Sequence, residues 1–139
     1  MQTQTQIGPK FGISKKALDG IVSLIKQKIE QILDKNDYRL VLINPALVRL
    51  WNSLDAIERL IQKTEGEWIT PGHGLFTLLE AMKDINSATY DIEYEIKILE
   101  RLITAGHKEY NDIKYELEVL VFDIRMKLFD SFLKPIHWG

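Results

Sequence analysis

The sequence predicts an all-α protein, a single compact bundle of four to six mostly antiparallel helices. Large apolar residues recur at alternating spacings of three and four, the period of one helix face. No stretch alternates apolar and polar residues for long enough to predict a sheet. The linkers between the apolar stripes are short, which favours antiparallel neighbours in a bundle.

The chain divides into a lead-in and one domain. Residues 1–13 are expected to be flexible, because Gly8-Pro9 and Gly12 interrupt any periodicity. Residues 14–139 are expected to form the helical bundle domain. A chain of 139 residues with 45% apolar composition is long enough for one core and leaves little room for a second.

Capping residues and stripes define the first predicted helices. Ser14 precedes an apolar stripe over about 15–34, and its hydroxyl is a good cap. Asn44-Pro45 predicts the start of the next helix, with asparagine as the cap and proline in the first turn. Gly66 is expected to close that helix in the left-handed conformation.

The second part of the sequence predicts further helices, of which the last is the longest. Thr70-Pro71 offers another cap and first-turn pair ahead of a third stripe. Asn86-Ser87 either breaks or bends the helix there, so the third and fourth stripes are one helix or two. The final helix is expected over about 107–134, with Pro135 ending it.

Composition excludes several classes of site. The chain has no cysteine, which excludes disulfides, thiolate metal sites and thiol nucleophiles and suits a reducing cytoplasm. No apolar run approaches the roughly 20 residues that span a bilayer. The polar start, residues 1–16, lacks the apolar middle of a secretory signal. We therefore expect a cytoplasmic protein that does not bind a membrane.

No arrangement of residues predicts catalysis. His73 lies in the Pro71-Gly72-His73-Gly74 loop, where bare N–H groups at a helix start can hold a phosphate. No Lys-Ser/Thr pair follows, so the loop is not a P-loop, and its glycines are also what a sharp turn requires. The spacing of histidines and carboxylates matches no metal motif. We expect a protein that is not an enzyme and has no cofactor or metal.

The charge distribution and the aromatic residues offer candidate contacts. Residues 1–63 carry a net charge of +4 and residues 64–139 carry −6, as if two surfaces of opposite sign served different partners. Trp51 lies on an apolar stripe and is expected in the core. Tyr90 and Tyr94 flank a stripe and are expected to be half-buried. Two tryptophans, Trp68 and Trp138, are the candidate exposed aromatics.

Five cations are candidates for contact with a nucleic-acid backbone. Arg49, Arg59 and Lys63 project to the side opposite the apolar stripe of their helix, within about 40° of the outward direction. Lys28 and Lys35, seven residues apart, share one flank of the preceding helix. A spaced ladder of positive charge suits a phosphate backbone, and it carries no base-reading signature.

These features resemble the small subunits of CRISPR effector complexes of the Cascade type. The resemblance covers residues 14–134 and depends on the helix layout, on Arg49, Arg59 and Lys63, and on the charge asymmetry. It implies a non-enzymatic subunit of an RNA-guided ribonucleoprotein. Several copies would stack head to tail beside other subunits and stabilise guide RNA or a target or non-target DNA strand through phosphates.

Two other functions remain open at this stage. A protein-only helical adaptor or scaffold would bind a partner protein through an amphipathic helix. An enzyme would use the glycine-rich loop around His73. Retention of nucleic acid on purification separates the first alternative from the ribonucleoprotein subunit, and substitution of His73 tests the second.

Overall fold

Four helices form an up-and-down antiparallel bundle in the computed structural model, which describes residues 12–132. Their bounds are α1 (Lys15–Asp34), α2 (Asn44–Lys63), α3 (Leu75–Thr104) and α4 (Asn111–Phe122). Helix α2 packs on α1 and α3, and α4 packs on α3 and α1. The predicted all-α bundle is confirmed. The proposed lead-in up to residue 11, and Pro135 and Trp138, lie outside the described residues.

Two short strands close the end of the bundle where α1 begins. Strand β1 (Ile13–Ser14) pairs antiparallel with β2 (Trp68–Ile69), with Ile13 opposite Ile69. Both isoleucines are buried. Two-residue strands are too short to show a period of two, which is why the sequence predicted none. Ile13, assigned to the flexible lead-in, therefore belongs to the folded core.

One predicted helix cap is confirmed and three are wrong. Gly66 is left-handed, at φ 84°, but it does not close α2, because the helix already ends at Lys63 with Thr64 extended as its cap. The Ser14 hydroxyl accepts a hydrogen bond from the Ala17 N–H at 3.3 Å, as expected of a cap. Asn44 is already the first residue of α2, and its side chain makes no capping bond. Thr70-Pro71 precedes α3 by a full turn, because the Thr70 carbonyl accepts from the N–H of His73 and closes a tight turn there. Gly74 precedes α3 instead.

Helix α3 runs without interruption through Asn86-Ser87 and is 30 residues long. At about 1.5 Å per residue it measures about 45 Å, whereas α1 and α2 measure about 30 Å each. The side-chain oxygen of Asn86 accepts a hydrogen bond from Arg125, so the amide is satisfied by the neighbouring helix and has no reason to end α3. Gly106, at φ 109°, follows the end of α3.

Helix α4 continues into a π-helical segment, Asp123–Asp130. Asp123 is buried at the junction and forms ion pairs with Lys28 of α1 and, at 3.3 Å, with Lys127. The predicted last helix was assigned to begin near residue 107. It begins at Asn111, because a short 3₁₀ turn (Lys108–Tyr110) precedes it.

Candidate functional site

The two candidate cations of α1 face α4. Lys28 forms an ion pair with the buried Asp123, and Lys35 forms one with Glu116. Both lysines line a groove of about 600 Å³ between α1 and α4. Their charges are therefore opposed by carboxylates of the same chain.

The three candidate cations of α2 diverge. Arg49 pairs with Asp91 of α3, on one flank of α2. Arg59 pairs with Asp55, which also binds Lys26 of α1 at 3.0 Å on the other flank. Hydrogen bonds from Lys26 and from Arg59 lower the pKa of the Asp55 carboxyl.

Lys63 occupies the exposed end of α2. It lines a loop depression together with Trp68 and His73. Arg49, Arg59 and Lys63 therefore do not form one continuous positive strip.

Part of the charge asymmetry is offset inside the bundle. Cations from the first half of the chain meet carboxylates from the second half along the helix seams. The four such pairs are Lys28–Asp123, Lys35–Glu116, Arg39–Asp112 and Arg49–Asp91. These four pairs of opposite charge thus help to align the helices, and they reduce the charge that each half presents to a partner.

The glycine-rich loop has a structural explanation. Gly72 and Gly74 have φ values of 86° and 99°, which side chains rarely tolerate. A Cβ at position 74 would lie 3.3 Å from a Leu60 methyl group, so glycine also permits the loop to approach α2 closely. His73 is exposed, and no cluster of three or more histidines or carboxylates in residues 12–132 is arranged to hold a metal ion.

Large apolar side chains are exposed along a groove between α3 and α4. The groove measures about 800 Å³ and is lined by Tyr90 and Tyr94 of α3, by Phe122 of α4 and by Met126 of the π-helical segment. Their exposed fractions are 62%, 66%, 58% and 46%. Each helix contributes a pair four residues apart, which places the pair on one face. The result is an apolar trough flanked by charged residues.

Arg125 fixes one wall of this groove. Its guanidinium forms an ion pair with Glu93 at 2.9 Å and donates a hydrogen bond to Asn86. The same group stacks on the Tyr90 ring, 4.9 Å from its centroid, and on Phe129. These contacts hold the exposed Tyr90 ring in place, so the surface is organised before any partner binds.

The apolar surface continues across α3 toward α2. Tyr94 also lines a second depression, which contains Leu42 and the Arg49–Asp91 pair. Leu42 is 78% exposed. Tyr94 therefore borders both the groove between α3 and α4 and this depression beside α2.

Sequence reasoning missed this surface because it assigned Tyr90 and Tyr94 to half-buried positions. The available signal was their spacing, which continues to Lys97 and Arg101 on the side opposite the apolar stripe. Trp68 is exposed as predicted, at 40%. Trp51 is partly buried, and its indole N–H donates to Glu30 at 3.0 Å.

Comparison of the chain with family models, with curated proteins and with solved structures finds no match. None of the helices in residues 12–132 is both long enough and apolar enough to cross a lipid bilayer. The exposed side chains of the described residues are therefore the evidence for what this chain binds.

Proposed function

We propose that this chain is a helical scaffold protein that binds another protein chain by accepting an α-helix in the groove between α3 and α4. The observation that carries the proposal is the concentration of four large exposed apolar side chains along that groove. Folding of the bundle does not account for them, because each remains about half exposed or more. Exposed apolar patches of this kind mark interaction sites.

The composition of the groove supports protein as the partner. Tyrosine, phenylalanine, methionine and arginine are the residues enriched at the centres of protein interfaces. Two antiparallel helices with apolar pairs four residues apart leave a trough that a third helix can fill at its i, i+3, i+4 positions. Tyr90, Tyr94, Phe122 and Met126 would be the main contacts.

Nucleic acid is a less suitable partner, because most of the candidate cations are already paired with carboxylates of the same chain. Four of the five candidate cations lie in intramolecular ion pairs, which reduces the positive potential they offer to phosphate. Membership of a CRISPR effector ribonucleoprotein, with Lys28, Lys35, Arg49, Arg59 and Lys63 on a strand, stays a prediction. So does the absence of catalysis.

The test is site-specific crosslinking in the native complex. A photoreactive residue replaces Phe122, or replaces Tyr38 as a control at a more exposed aromatic position outside the groove. We expect crosslinks from position 122 into a segment of a protein chain with apolar residues at spacings of three and four, and none from position 38. The mass of the complex should fall when Phe122 and Met126 are both changed to serine.

Two outcomes would contradict the proposal. The first is a complex whose mass and composition are unchanged by the double serine substitution. The second is salt-sensitive nucleic acid in the complex, detected by absorbance at 260 against 280 nm, that is lost when Arg49, Arg59 and Lys63 are changed to glutamate. That result would favour the nucleic-acid prediction.

A further inference from the structure

The outward side of α3 carries a regular seam of exposed residues. Their spacings alternate between four and three over about seven turns, a length of about 39 Å. Every position in this outer seam is exposed. The outer seam consists of Phe76, Glu80, Lys83, Ser87, Tyr90, Tyr94, Lys97 and Arg101.

The buried side of α3 has the same spacing. Its inner seam is filled by apolar side chains and one threonine, and each is less than 9% exposed. Strict alternation of three and four keeps a face turned toward a neighbouring helix, as in a coiled coil. The inner seam, which packs on the bundle core, consists of Leu75, Leu78, Met82, Ile85, Thr89, Ile92, Ile96 and Leu99.

The charged residues of the outer seam have no ion-pair partners within the described part of the bundle. Within residues 12–132, none of Glu80, Lys83, Lys97 and Arg101 forms an ion pair. Most of the cations on α1 and α2 do. A carboxylate and a cation, Glu80 and Lys83, thus lie on the N-terminal side of the central tyrosines, and the cations Lys97 and Arg101 lie on the C-terminal side.

We propose that the outer seam, which shares Tyr90, Tyr94 and Lys97 with the groove between α3 and α4, packs against α3 of a second copy of the chain, antiparallel about a two-fold axis near Ser87 and Tyr90. This inference rests on the proposed function and names its partner. A two-fold axis repeats each contact twice, so a seam must be complementary to its own reverse. The charges of the outer seam satisfy that condition.

Each layer of this antiparallel pair of α3 helices brings complementary residues together. In the antiparallel register, Glu80 meets Lys97 of the other copy, and Ser87 meets Tyr90. The remaining two layers are cation–π contacts of the kind that stabilise partly exposed interfaces. In those layers Lys83 meets Tyr94, and Phe76 meets Arg101.

Other arrangements of two α3 helices are less favourable. A parallel, in-register pair would place each charged residue of the seam against its own copy. An antiparallel pair shifted by one heptad in one direction would place Lys83 against Arg101, which is a contact between like charges. The same shift in the other direction would lose both Glu80–Lys97 contacts, because Lys97 would lie beyond the start of α3 in the other copy. Repulsive alternatives of this type are what select one orientation and register.

The edges of the seam suit the same arrangement. The flanking carboxylates Asp91 and Glu93 are already paired with Arg49 and Arg125 of their own copy. Their negative charges are therefore offset at the edge of the contact. On the α4 side, Phe122 and Met126 extend the apolar area beyond the tyrosines.

The test is a charge exchange on the purified chain. We expect the unmodified chain to sediment as a dimer whose dissociation is concentration-dependent. Glu80→Lys and Lys97→Glu should each weaken self-association by about tenfold or more, because the two-fold axis repeats the new repulsion. The double variant should restore dimerisation, since it exchanges the two charges of one layer. Circular dichroism checks that each variant is folded.

Lys16→Glu is the matched control, because Lys16 is exposed on α1 and lies off the seam. It should leave the dimer unchanged. A chain that stays monomeric at all concentrations would overturn the inference, and so would a double variant that fails to restore association. If the purified chain is monomeric while the native complex depends on Phe122 and Met126, this inference fails and the proposed function stands.

Discussion

Helix α3 has two faces with one spacing and opposite chemistry. The inner face presents Leu78, Met82, Ile85 and Ile92 to the core, and none of them is exposed to solvent. The outer face presents Tyr90 and other exposed residues at the same alternation of three and four.

Folding of the bundle requires the inner face of α3 and does not require the outer face. Burial of the inner face removes apolar area from water and stabilises the bundle. The outer tyrosines contribute little to folding, because most of their surface stays in water. Their exposure is therefore not explained by folding, and it is the basis for the second helix–helix contact proposed there.

The largest expected difference between the faces is in stability. Ile92→Ala removes buried methyl and methylene groups and leaves a cavity, so the free energy of unfolding should fall by about 2–5 kcal/mol. Tyr94→Ala on the outer face should change it by less than about 1 kcal/mol. Urea denaturation measures both, at a concentration low enough for the chain to be monomeric.

An equal loss of stability in the two variants would contradict the distinction between the inner and the outer face of α3. It would mean that Tyr94 packs against the bundle and is not available to a partner. A smaller self-association constant for Tyr94→Ala, with unchanged secondary structure, would support a role for the outer face in binding a second copy.

A smaller effect is expected where the two faces meet. Arg125 joins Glu93 and Asn86 on the flank of α3 to the ring of Tyr90. Arg125→Ala should lower the free energy of unfolding by about 1–2 kcal/mol, because a partly buried ion pair and a cation–π contact are lost together. Arg125→Lys keeps the charge without the planar fork and should recover only part of the loss.

Lys114→Ala is the control for Arg125. Lys114 is similarly covered, and its main partner is Glu118 one turn away, at 3.3 Å, with Glu100 of α3 more distant at 3.9 Å. Pairs of this spacing on one helix contribute about 0.2–0.5 kcal/mol. Equal effects of the two alanine substitutions, again by urea denaturation, would show that Arg125 does not organise the groove.

The sequence was sufficient for elements that depend on local pattern. The apolar stripe and Ser14 predicted α1 closely, because a cap and a buried face are both local signals. It was insufficient where a distant residue decides the outcome. Asn86 stays within a helix because Arg125 satisfies its amide, and Lys28 is engaged by Asp123, 95 residues away in the chain. Periodicity carries no information about either partner.

The smallest predicted effect concerns the turn between α1 and α2, which interactions between charged side chains stabilise. Asp37 accepts hydrogen bonds from the Arg39 side chain and backbone, and these lower the pKa of its carboxyl from 3.8 to about 2. A lowered pKa in the folded state gives stability that is complete above the unfolded value and is lost as the pH falls from about 4 to about 2. Asp37→Asn keeps an acceptor for the turn and removes the charge. The urea midpoint of the unmodified chain should therefore exceed that of the variant near neutral pH and approach it near pH 2.

Asp34→Asn removes an equivalent charge outside the Arg39 contact, and a similar convergence there would show that net charge, not the Asp37–Arg39 pair, causes the effect.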